Sequence, residues 1–419
     1  MFRPLRERNY RLWAAADVVS VCGTWMQVLG LNWLVLTVTG SATAMGVSVL
    51  LQALPSLLFA GLGGALADRL PARPVLIVTQ LVRVALSLTL AAAVVGGVDS
   101  LWPVYLVTFA SGIIGSLEGP VLARFGSALV GRETLGSALA LGSVLSSGGR
   151  ILGMALGGVV AGLVGPAPLF LFNAVSFLGV VAAIAAVRSR EMYPLAVAAT
   201  GSPDSGVRAG LRYLLTQPVI LVVLGLSFVL GSLGRNYQLT MAAMSAGPLA
   251  SGAGGYGLLS TVFAVGGVLG GLVAAAQPRM SLRLLLLAGG GISVLQLASG
   301  FAPGLFSFAA AILPIAAGAV IVDTVVSARI QLDTREEMRG RMVAALGLVS
   351  SLAGMVGAPT LGWLCDSIGP RAGLAVAGVI TTVGCLVAAM LLRRMTGVSL
   401  LPVLRWSIPG RRPVPANAA

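Results

Sequence analysis

Long apolar runs alternate with short polar interruptions along the whole chain. The runs fall at residues 12–35, 44–67, 75–97, 101–123, 136–162, 167–187, 219–243, 255–276, 282–300, 305–329, 341–364 and 371–392. Each reaches about the 20 residues that a helix needs to cross the hydrocarbon core of a bilayer, so the pattern predicts an all-α polytopic membrane protein with twelve spans. Connections of a few residues, such as VGGVDS at 95–100 and VGPAP at 164–168, make neighbouring spans antiparallel.

The longest interruption, from Arg188 to Pro218, carries SREMYP and TGSPDSG and divides the spans six and six. The expected organisation is an N-terminal six-helix bundle at 1–190, a linker at 191–218 with a short surface helix at 207–215, a second six-helix bundle at 219–394, and a basic, Pro-rich tail at 395–419. The two halves repeat each other. Glu118-Gly-Pro-Val-Leu-Ala-Arg124 returns as Asp323-Thr-Val-Val-Ser-Ala-Arg329 at an offset of 205, Arg132-Glu133 returns as Arg335-Glu336, and Gly158 and Gly362 lie 204 apart. Such a duplication places a pseudo-twofold interface, and with it a central cavity, between the halves.

Composition decides what surrounds this helical array. Of 419 residues 57% are hydrophobic and 10% charged, with a mean hydropathy of +0.98. A soluble domain devotes about 25% of its residues to charge, so lipid must cover most of this surface. The net charge of +14 comes entirely from Arg, because Lys and His are absent. If the spans alternate, 23 of the 27 Arg fall on the side of the N-terminus, three (Arg83, Arg150 and Arg235) lie inside spans, and Arg371 alone lies opposite. The positive-inside rule makes both termini cytoplasmic, and the same clustering between apolar runs argues against a nucleic-acid partner. The basic N-terminal arm lacks a cleavage pattern for a signal peptide. Without Lys there is no phosphate-binding P-loop, and without His no Ser–His hydrolase, so neither ATP hydrolysis nor another enzymatic role is expected. The three Cys form no CxxC, and no cofactor or metal site is expected.

One local motif stands out, Gly63-Gly64-Ala-Leu-Ala-Asp68-Arg69-Leu-Pro-Ala-Arg73 after the second span. It resembles the loop signature GxxxDRxGRR of the major facilitator superfamily, with Pro71 where that family has Gly; the second-half counterpart, from Gly270-Gly271 to Gln277-Pro278-Arg279, keeps the small residues and an Arg but lacks the Asp. The first span, Trp13-Ala-Ala-Ala-Asp17-Val-Val-Ser20 followed by Gly23-Thr24-Trp25, and the stretch FLFNAVSFL at 170–178 are similar to the bacterial subgroup of enterobactin exporters and macrolide-efflux-like proteins. This resemblance implies two six-helix bundles that rock about a central site in a bacterial inner membrane. It implies export of a hydrophobic or amphipathic small molecule, a drug or siderophore, by a monomer in exchange for protons. Uptake or facilitated diffusion of a solute is the alternative within transport, and a lipid scramblase or non-transporting receptor the alternative outside it.

Candidate site residues follow from polar groups where lipid-facing helices should have none. Asp17, Ser20, Thr24 and Gln27 share one side of the first span, with Asn32 off that stripe, and this side should face inward. Asp17 is either a protonatable carboxylate on the path or a polar lock at the cytoplasmic end. Arg150 is deep in the fifth span and faces either the cavity or a partner helix. Arg235, Asn236 and Gln238 interrupt the seventh span, lining the second half of the cavity or capping a shorter helix. Gly64, Asp68, Arg69 and Arg73 are expected at a cytoplasmic gate. Glu118, Arg124, Asp323 and Arg329 belong to the same gate, with backbone amides or Arg132 and Arg335 as the expected partners of the two carboxylates. Gly149, Gly153, Gly157 and Gly158 in the fifth span, and Gly357 and Gly362 in the eleventh, give smooth packing faces.

Overall fold

The computed structural model describes residues 3–97, 100–193, 212–277 and 279–396, except the side chains at 56 and 60–69. Among these residues, twelve helices are long and apolar enough to span a membrane. They are α1 (Arg8–Thr39), α2 (Ala42–Arg69), α3 (Ala72–Gly96), α4 (Trp102–Ser127), α5 (Arg132–Val164), α6 (Ala167–Ala186), α7a (Pro218–Leu233) with α7b (Tyr237–Ala246), α8 (Gly252–Ala275), α9 (Leu282–Ser299), α10 (Leu305–Leu332), α11 (Arg339–Ile368) and α12 (Pro370–Thr396). Helices α1, α5 and α11 outrun the apolar stretches that mark them, because Arg residues continue the first turns with long side chains that can reach the headgroup layer. Of the expected linker helix, 212–215 is helical and 207–211 lies outside the described residues, as does the tail from 397.

Where helix ends carry few Arg, turns are tight and depend on glycine. Gly40, Gly97, Gly165, Gly252 and Gly369 all have positive φ and all lie on this Arg-poor side. Gly40 stops α1 in the left-handed region, its N–H closing on the Leu36 carbonyl, which lets α2 begin two residues later.

The packing repeats with the sequence. In the first half α2 lies on α4, α1 on α5 and α6, and α3 on α4 and α6. In the second half α8 lies on α10, α7a on α11 and α12, and α9 on α10 and α12. Adding six to each first-half helix number reproduces the second-half pattern. The most extensive contacts between the halves are α2 with α11 and α5 with α8, and the same rule exchanges them. The outer helices α3, α6, α9 and α12 leave large side chains such as Val78, Val175, Leu287 and Leu386 exposed, the surface a bilayer would cover.

The break in α7 is chemically resolved. Helix geometry ends at Leu233 and resumes at Tyr237, which frees carbonyls that lipid could not satisfy. Asn236 Nδ2 donates to the Ser232 carbonyl at 2.5 Å, and Gln296 Nε2 from α9 donates to the Leu233 carbonyl at 2.8 Å.

Candidate functional site

The halves meet tightly on the Arg-poor side. A Cβ on Gly158 of α5 would overlap the backbone of Gly257 in α8, and a Cβ on Gly362 of α11 would overlap Ala42 of α2. One turn or more deeper, Gly153 approaches Cys22 of α1 and Gly357 approaches Ser232 of α7a, again at corresponding positions of the repeat. Gly149 and Gly157 pack on α1 beside Val18 and Met26. Small residues thus set how closely the crossing helices approach.

A carboxylate completes this seal. Asp366, near the end of α11, accepts hydrogen bonds from Ser41 Oγ (2.6 Å), Thr43 Oγ1 (2.6 Å) and the backbone N–H groups of Ala42 (2.8 Å) and Thr43 (2.9 Å). These are free donors at the start of α2, so the second half caps a helix of the first. Sequence reasoning missed Asp366 because it lies beyond the apolar run ending at 364.

Inside the seal, three polar side chains link α1, α7b and α8. Asn32 Nδ2 donates to the Tyr256 hydroxyl at 3.3 Å, and that hydroxyl donates to Gln238 Oε1 at 2.6 Å, while Trp33 stacks on the Tyr256 ring at 6.1 Å. Gln238 Nε2 also faces Met154 Sδ at 3.9 Å. Tyr256 was not legible as a partner, since one Tyr in a Gly-rich helix carries no periodic signal.

The inward stripe expected on α1 divides. Asp17 lines a cleft of about 340 Å³ between α1, α4 and α5 toward the Arg-rich side, with Tyr10, Trp13, Ser143 and Ser146, and has no ion-pair partner among the described residues. Thr24 and Gln27 instead face a cavity of about 50 Å³ within the first half. There Gln27 Oε1 accepts from Ser87 Oγ and Asn173 Nδ2, both at 2.8 Å. Different helices flank α1 at the two levels, which is why one stripe serves two environments.

The repeat carboxylates do not pair as expected. Glu118 is 3% exposed and accepts from Thr79 Oγ1 (3.0 Å), Gln80 Nε2 (2.7 Å) and Arg83 Nε (2.6 Å), all on α3. Asp323 pairs with Arg235 at the α7 break, and its side chain is 55% exposed. Arg132 and Arg335 partner neither carboxylate; Arg132 is exposed, and the Arg335 backbone N–H donates to the Tyr213 hydroxyl at 3.3 Å. The expectation failed because each carboxylate turns into its own bundle, toward an inner or neighbouring helix, rather than toward the loop that follows it.

Other gate candidates stay within their own half. Arg73 donates to Ser189 Oγ at 2.9 Å and to the Ala185 carbonyl at 2.5 Å, tying α3 to the end of α6. Arg329 pairs with Asp333 one turn on at 2.8 Å. Arg124 is exposed in the last turn of α4. The side chains of Gly64, Asp68 and Arg69 lie outside the described residues. Arg150 has its guanidinium carbon 5.8 Å from the centre of the Trp25 ring and no carboxylate beside it.

A family model described as transmembrane secretion effector matches residues 1–410. The chain belongs to this family of major facilitator transporters. No curated protein matches its sequence. Solved structures share the fold at low identity. The nucleoside transporter NupG superposes with a TM-score of 0.73 at 11% identity, covering 92% of this chain and 99% of NupG. A bacterial homologue of the iron transporter ferroportin, in an inward-facing state, gives 0.69 at 15%, covering 92% and 98%. The D-xylose–proton symporter gives 0.69 at 14%, covering 93% and 99%. The family therefore makes this a multi-pass membrane transporter of small molecules.

Proposed function

We propose that the chain is a secondary exporter of the bacterial inner membrane, moving a hydrophobic or amphipathic small molecule such as a drug or siderophore outward in exchange for protons. The observation that carries this reading is the placement of charge: the halves close on the Arg-poor side, while Asp17, Arg150 and the Arg235–Asp323 pair lie within the spans. With the Arg-rich side and both termini in the cytoplasm, the sealed side is the outer one. Residues 1–190 and 219–394 are the two rocking units, joined by 191–218 and followed by the tail from 395. Asp17 supports proton coupling because a carboxylate without an ionic partner can change its protonation without breaking a pair. Charged groups held within the spans also disfavour a scramblase or a non-transporting receptor. The resemblance to enterobactin exporters and macrolide-efflux-like proteins supports the direction and the substrate class.

Flux of fluorescent amphipathic dyes in vesicles reconstituted with the full chain tests this. An imposed proton gradient should drive dye accumulation on the side from which protons enter, and Asp17→Asn should abolish that response. A rate and accumulation ratio unaffected by the gradient would reject antiport. Asp68→Asn should reduce dye transport at least about tenfold at equal membrane abundance, as expected of a carboxylate holding the cytoplasmic gate; unchanged transport would remove it from that role.

A further inference from the structure

Three guanidinium groups lie inside spans, and they are not equivalent. Arg83 is held by Glu118 and Arg235 by Asp323. Arg150 has neither an ion pair nor a hydrogen-bond acceptor among the described residues; its guanidinium lies over the face of Trp25. A guanidinium has five N–H donors and does not lose its charge, and a cation–π contact replaces only part of the hydration given up at such depth. Asp17, another in-span charge, is not within ion-pair distance of Arg150 and occupies the cleft nearer the Arg-rich end.

The place of Arg150 is as informative as its lack of a partner. It belongs to α5, one turn before Met154, which meets Gln238 of the second half. A Cβ on Gly267 of α8 would lie 3.2 Å from Arg150 Nη2, so the missing side chain there lets the guanidinium lie against the α8 backbone. Trp25 comes from α1. A group docked on Arg150 would therefore lie beside α1 and α5 of one half and α8 of the other.

We propose that Arg150 is the docking point for the anionic group of the transported molecule, and that the substrate is an amphipathic organic anion whose carboxylate, phosphate or sulfonate pairs with Arg150 while its apolar or aromatic body lies against Trp25. This rests on the export reading and sharpens it. An inside-negative membrane potential then drives the substrate outward by itself, about fifty-fold in accumulation per charge for each 100 mV.

Three probes with one apolar body test the assignment: N-dansyl-6-aminohexanoate, its primary amide, and dansylcadaverine. Binding to the purified full-length protein is read by fluorescence polarisation, and movement by efflux from proteoliposomes. The anion should bind at least about tenfold more tightly than the amide, with the amine weakest, as a single charge-assisted pair requires. Arg150→Gln should erase the anion preference while leaving amide affinity within about twofold, and Arg150→Lys should keep part of it. A purely structural Arg would instead weaken all three probes together. Should Arg150→Gln fail to fold, the charge preference of the unaltered protein and of Arg150→Lys still decides. Equal binding of the three probes by the unaltered protein, or a full preference retained without the guanidinium, overturns the assignment while transport of any probe keeps the export reading. Failure of all three to bind or move rejects both.

Discussion

Glu118 and Asp323 occupy the same turn of the repeat, yet the two halves use that turn differently. In the first half the carboxylate is buried and saturated by three side chains of a single neighbouring helix, so it fastens α3 to α4. In the second half the carboxylate is exposed and reaches the Arg at the break of α7, so it bridges α10 to an interrupted inner helix. A buried charge held by three donors cannot change partners without large cost, whereas an exposed pair can exchange with water or ligand at little cost. The duplicated packing has been kept while one copy became a structural pin and the other a contact free to work.

The strongest way to break this comparison is Glu118→Ala, which leaves Arg83 and two polar neighbours facing an empty site. It should lower unfolding free energy by about 3 kcal/mol, read by denaturant titration in mixed micelles. If Asp323→Ala costs as much, the two halves are not different in kind.

The helix crossings differ in the same direction, and a somewhat smaller effect tests them. The α2–α11 crossing carries the Asp366 cap, while the corresponding stretch of α5 near Gly162 packs by small residues on Gly254. Asp366→Ala should remove about 1 to 2 kcal/mol of capping from the sealed state. That changes the ratio of sealed to open molecules by roughly 5- to 30-fold. Cys365, buried beside the cap, reports the change, since its alkylation should quicken accordingly. An unchanged rate would mean that glycine packing alone holds the seal.

Asp323→Asn should have the smallest effect on stability, below about 1 kcal/mol, because its carboxylate is already solvated. Its effect should appear in the ratio of labelling at cysteines placed on the two cavity mouths, with proton dependence retained. Loss of proton dependence at an unaltered ratio would make Asp323 the coupling group instead.

Hydrophobic length made the spans legible, and the Glu118/Asp323 and Gly158/Gly362 repeats made the two-bundle plan legible, because both are properties of single helices or of duplication. Partner choice was not. Arg83 and Glu118 meet only through the register between α3 and α4, which periodicity does not encode. The division of the α1 stripe between Asp17 and Gln27 likewise depends on which helix lies opposite at each level. Asp366 had a faint signal in retrospect: the Ser41-Ala42-Thr43 start of α2 offers donors, but nothing local indicates that their acceptor stands over 320 residues away.

That distance gives the cap a use as a chronometer. The amide protons of Ala42 and Thr43 lie in the first turn of α2, where a helix supplies no acceptor of its own. Asp366 protects them, so they are shielded while the Arg-poor face is shut and released when it opens, even though α2 stays helical throughout. Deuterium uptake at these two amides would then follow the opening rate of that face directly, in the unlabelled protein and without knowledge of its cargo, and a true substrate would be recognised as a compound that quickens it.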